Sequence, residues 1–86
     1  MPDAFIVTIT DVSKKFEVDL EIPAHLPLSE YKGKLLEILK MMDSTVFRDW
    51  RDYRVIFNKR TMSGHDTLAA LGAFDGSRLT VERVSK

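Results

Sequence analysis

Cysteine is absent from this 86-residue chain. Without it there is no disulfide framework, no thiolate zinc site and no cysteine nucleophile. Glycine is scarce and scattered, with four residues, so no loop of backbone amides cradles a phosphate. Charge of one sign is not in excess: Lys and Arg total 13, Asp and Glu total 13. A nucleic-acid-binding domain carries a basic surplus, so no nucleic-acid partner is expected. The charges are also dispersed, with Glu17, Asp19 and Glu21 set apart from Arg48, Arg51 and Arg54. The Lys59-Arg60 pair reads as a solvated turn. No apolar run approaches the roughly 18 residues of a membrane helix, so no direct membrane insertion is expected. The start, Met1 to Ala4, lacks a basic n-region, and the apolar stretch after it is broken by Thr8 and Thr10. A cytosolic location without a signal peptide is the expectation.

Hydrophobic residues make up 44% and charged residues 30% of the chain, a globular balance that argues against disorder. The length suits one domain, so residues 1–86 are read as a single unit. Phe5 to Thr10 is β-branched and aromatic, with Phe5, Val7 and Ile9 on one face and Ile6, Thr8 and Thr10 on the other. Phe16 to Ile22 alternates: Phe16, Val18, Leu20 and Ile22 point one way and three acids the other. With the polar Asp11 to Lys15 between them, the two runs predict a hairpin.

Pro23 ends the second strand and Pro27 sits where a helix starts. The period then changes. Leu28, Tyr31, Leu35, Ile38, Leu39 and Met42 recur at three- and four-residue spacing, one stripe of an amphipathic helix. Gly33 within it suggests a close approach of helix to sheet. Met41 and Met42 read as core fillers. Thr45 to Asp52 is a loop pinned by aromatics or a short helical turn. Tyr53, Val55 and Phe57 alternate with Arg54, Ile56 and Asn58 as a third strand. Asn58 to Arg60 turns, Thr61 and Met62 pair briefly, and Thr67 to Leu71 forms a helical turn stopped by Gly72. Asp75-Gly76 turns again before a last strand through Leu79 and Val81 to about Val84. The order predicts an α+β fold, a sheet covered by one helix.

Arg54-Val55-Ile56-Phe57, Thr67-Leu68 and Leu79-Thr80-Val81 resemble the second half of ubiquitin. A narrower likeness runs over nearly the whole chain. Asp19 to Leu28, Trp50, Asn58-Lys59, Ser63-Gly64, Leu68, Gly72 and Asp75-Gly76-Ser77-Arg78-Leu79 resemble, in that order, the YukD/EsaB family. These are small bacterial ubiquitin-like proteins associated with type VII (WXG100, or ESX-like) secretion. The resemblance implies a ubiquitin-like β-grasp with a mixed four- to five-stranded sheet on one main helix. It implies an accessory or regulatory role in secretion and secretion-system proteins as partners. It also implies a place in the bacterial cytosol or at the periphery of a membrane secretion complex. It carries over no catalytic residue. The alternative is a ubiquitin-like adaptor in another pathway.

Ubiquitin and sulfur-carrier relatives are activated at a C-terminal Gly-Gly. Here the chain reads Arg83-Val84-Ser85-Lys86, and the nearest glycine, Gly76, lies inside the fold. Conjugation and sulfur transfer are therefore not expected, and neither is enzymatic activity. His25 and His65 are solitary, Ser63-Gly64 has no catalytic partners, and no metal or cofactor is expected. The candidate site is a protein-binding surface on the sheet's wet face: Ile6, Thr8, Arg54, Ile56, Thr80 and Glu82. Trp50 has two readings. With Phe47 and Tyr53 it closes the end of the core, or it is partly exposed as a binding anchor.

Overall fold

The computed structural model describes residues 3–84. The period-two segments form strands β1 (Ala4–Asp11) and β2 (Glu17–Pro23), antiparallel, with Phe5 opposite Ile22 and Ile9 opposite Val18. Pro23 closes β2, an outer strand where a missing N–H costs no ladder bond. The chain continues through α1 (Leu28–Met42), α2 (Ser44–Phe47), β3 (Tyr53–Phe57), β4 (Arg60–Thr61) and β5 (Arg78–Arg83). The mixed sheet has the order β2-β1-β5-β3-β4, with β1 parallel to β5 at its centre. This is a β-grasp, as the sequence predicts, with β4 as the fifth strand.

Local chemistry sets the connections. Asn58 and Lys59, with φ of 53° and 68°, form the two-residue turn between β3 and β4. Positive φ at both central positions matches the right-handed twist of the flanking strands. Gly76, at φ 95°, donates its N–H to the Ile6 carbonyl at 2.8 Å, a conformation that favours glycine. Pro27 stands at the N-cap of α1 and offers no side-chain acceptor. The exposed helix donors are met from another segment. Leu28 N–H donates to the Asp66 carbonyl (3.0 Å) and Ser29 N–H to that of Gly64 (2.8 Å). The Ser63–Asp66 turn therefore serves as the helix cap.

The core lies between α1 and one face of the sheet. Val7, Ile9, Leu39, Phe47, Leu68, Leu79 and Val81 have no solvent exposure. Three sequence expectations change. Gly33 is exposed and an added Cβ would meet nothing within 4 Å, so it allows no close approach. Leu36 joins the buried stripe, while Ile38 is half-buried. Met41 is 85% exposed and Met42 48%, so neither fills the core. The helical stripe ends there because the Asp43 carboxylate caps α2, accepting from Thr45 and Val46 N–H at 3.1 Å each. That turn carries Phe47, which is fully buried. Phe47 meets Phe16 and Trp50 edge-on, with centroids 4.8 and 4.7 Å apart.

Candidate protein-binding surface

Strand alternation carries every second residue of the sheet away from α1. Arg54 and Glu82 are opposite each other on β3 and β5 and form an ion pair, Nε to Oε1, at 3.3 Å. Thr8 is opposite Asp19, and its hydroxyl donates to the carboxylate at 2.7 Å. Arg78 reaches across β1 to Glu17 at 3.4 Å. Ile56, half-buried, sits between Thr80 of β5 and Thr61 of β4. The face is thus a lattice of paired polar groups with Ile56 as an apolar point among them.

The register brings together Thr8, Arg54, Ile56, Thr80 and Glu82 on adjoining strands of one face. Ile6 shares that face and is 53% exposed, but it lies on β1 near the opposite end from Ile56, beside the Phe74–Gly76 turn. Its N–H donates to the Asp75 carboxylate at 2.9 Å. Trp50 stands elsewhere. It is 8% exposed and packs against Phe47 and Tyr53 at the end of the core, in line with the core-closing reading and not with the exposed anchor. Thr10, assigned to the wet face, is 7% exposed because it lies on central strand β1 between Glu17 and Thr80.

Two exposed apolar residues beside these elements were not among the sequence candidates: Phe74, 64% exposed, and Val12, 53%. Each adjoins a turn, where alternation gives no facing, and a bulky side chain next to Asp75-Gly76 is the only sequence signal for Phe74. His25 and His65 are both exposed, and among the described residues no group of three or more His, Cys, Asp or Glu residues is arranged to hold a metal.

Three buried or partly buried ionisable groups have shifted titration. Burial pushes the Asp11 carboxyl upward. Hydrogen bonds from the Ser13 hydroxyl and the Phe16 and Lys15 N–H groups outweigh it and hold Asp11 below its ordinary value. Burial pushes the Tyr31 phenol up to about 12, and its hydroxyl has no hydrogen-bond partner. Burial also raises Tyr53, whose hydroxyl donates to the Lys32 carbonyl at 2.7 Å. Asp11 and Tyr53 hold local structure through these bonds, and none of the three shifts brings a group toward neutral pH.

Strand order, central parallel pair and covering helix define a ubiquitin-like domain. Solved structures of the same shape include the EccD5 ubiquitin-like domain from Mycobacterium xenopi (18% identity, TM-score 0.78, 99% of each chain). The ubiquitin-like domain of ECCD1, a Mycobacterium tuberculosis type VII secretion system protein, is another (21%, 0.76, 95% of this chain and 99% of that one). A chain of the MycP5-free ESX-5 inner membrane complex is a third (14%, 0.79), where 99% of this chain matches 22% of the longer one. At such identities the likeness concerns the fold. The family is fixed by sequence: residues 5–81 match the family "WXG100 protein secretion system (Wss), protein YukD", and the chain belongs to it. No curated protein matches the chain. Among the described residues, no helix is long and apolar enough to cross a membrane.

Proposed function

We propose that this chain is a non-conjugating protein-interaction module with an accessory or regulatory role in a WXG100 (type VII) secretion system. Its outer sheet face, Thr8, Arg54, Ile56, Thr80 and Glu82 with Ile6 at the margin, meets a component of the secretion machine. Family membership supports the pathway. The observation that carries the surface is Ile56, an apolar side chain beside the Arg54–Glu82 pair on a rigid ladder. A small apolar contact ringed by polar groups is the anatomy of a modest, specific interface. The likeness to part of a chain of the ESX-5 inner membrane complex supports a working position beside such a complex.

The test is to replace the chromosomal copy with Arg54→Ala/Ile56→Ala, confirm that the variant folds, and measure WXG100 export and co-purifying machine components. Export and association should both fall. Undiminished export and association with the folded variant overturn the outer face as the working surface. Co-purification only with proteins outside the secretion machine favours an adaptor in another pathway.

A further inference from the structure

We propose that the groove at the α2 end of the domain is a second docking site, one that takes an extended acidic peptide bearing apolar side chains. It lies between the β1–β2 turn, α2 and the end of β5. Val12, Val46 and the edge of Trp50 line it. Val12 is 53% exposed, so its apolar side chain is open to a partner.

The rim is basic in a chain whose net charge is zero. Lys15 and Arg83 border the groove, and Lys40, Arg48 and Arg51 continue the rim on the other side of Trp50. The acids at this end are already engaged. Asp11 holds its own turn, Asp43 caps α2, and Glu82 is paired with Arg54. Among the described residues, Asp49 pairs with Arg48 alone, at 4.0 Å. Among the described residues, Lys15, Lys40, Arg51 and Arg83 form no ion pair. Their field is left for an anionic partner.

A strand edge makes a peptide the fitting occupant. Pairing of β1 with β5 stops at Asp11 opposite Val81, yet β5 runs on to Arg83. Val84 N–H donates to the Asp52 carbonyl on the β3 side, at 3.1 Å. Successive residues of a strand address opposite neighbours, so the Arg83 backbone turns to the side that β1 has left. A peptide backbone joins such an edge, its apolar side chains meet the Val12–Val46 floor, and its carboxylates meet the rim. A lipid surface would use the cations but not the strand edge.

The chain's single tryptophan borders the groove and reports on it. The probe is a blocked ten-residue peptide alternating glutamate and valine. Lysine–valine and glutamate–serine peptides serve as controls, and phosphatidylglycerol vesicles as a competing surface. Tryptophan fluorescence should shift saturably with the glutamate–valine peptide. Amide resonances of Val12, Val46 and Arg83 should move, and binding should weaken as salt rises. Arg51→Glu/Arg83→Glu, at two exposed positions, should leave the melting temperature near wild type and weaken binding about tenfold or more. Ile56→Ala, which leaves the Arg54–Glu82 pair in place, should bind the peptide as wild type does, which separates this site from the outer face. Equal binding of the lysine–valine or glutamate–serine peptide overturns the proposal. So do shifts centred on Ile56, no saturation at millimolar peptide, unchanged affinity in the charge-reversed variant, or binding of vesicles without the peptide.

Discussion

Along β5, Leu79 and Val81 have no solvent exposure, while Arg78, Thr80 and Glu82 between and beside them turn to the outer face. The same division runs along β1 and β3. On the inner face the contribution comes from apolar area removed from water, about 25 cal/mol per Å². On the outer face it comes from ion pairs whose members stay 40% and 46% exposed, and such pairs contribute between nothing and about 1 kcal/mol. The inner face therefore sets stability and leaves the outer face free to vary its chemistry. A fold shared with the M. xenopi domain at 18% identity fits that separation.

The comparison is most easily broken at Leu79. Leu79→Ala should cost about 3 kcal/mol by removing buried methyl groups and leaving a cavity, read as a lower denaturation midpoint in urea. A loss under about 1 kcal/mol would mean that the inner face is not the seat of stability. Asp11→Asn, at the sheet's end, should cost about 1–2 kcal/mol at pH 7 because it weakens charge-assisted bonds to buried donors. The folded carboxyl titrates below its ordinary value of 3.8. Its contribution is thus present above that value and is lost as pH falls through the lower folded one. Melting curves of wild type and variant should converge below pH 3.8, and a constant gap would contradict the charge-based account. Arg54→Ala on the outer face should cost no more than about 0.5 kcal/mol, less still at high salt. Tyr31→Phe sharpens the inner-face rule from the other side. Its hydroxyl is buried and unpartnered, so removing it should leave stability unchanged or slightly raised. A loss above about 1 kcal/mol would reveal a partner for it.

The strands and the main helix were legible because alternation and the three-to-four spacing are direct consequences of burying one face. The departures occur where a local contact overrides the period. Met42 continues the helical stripe on paper, but the Asp43 cap starts a new turn, in which Phe47 is the buried residue. Gly33 looks like a packing glycine because spacing does not reveal how far a helix stands from its sheet. Of the candidate surface, the facing of Ile6, Thr8, Arg54, Ile56, Thr80 and Glu82 follows from period two. Their separation does not, because strand order and register are set by distant parts of the chain. The basic groove was illegible. Its walls come from the β1–β2 turn, α2 and β5, and no single stretch of sequence shows them together.

The parallel pairing of β1 with β5 has a consequence for assembly in time. The two strands at the centre of the sheet are separated by nearly the whole chain. On a ribosome the β1–β2 hairpin and α1 emerge early, with the inner faces of Val7 and Ile9 uncovered on the side that awaits β5. The cooperative unit closes only when the last strand arrives, since a large loop must be shut before its contacts give any return. A nascent or truncated chain that lacks β5 therefore exposes both an apolar surface and an open strand edge. Such a chain is a substrate for chaperones and proteases before it is a folded protein.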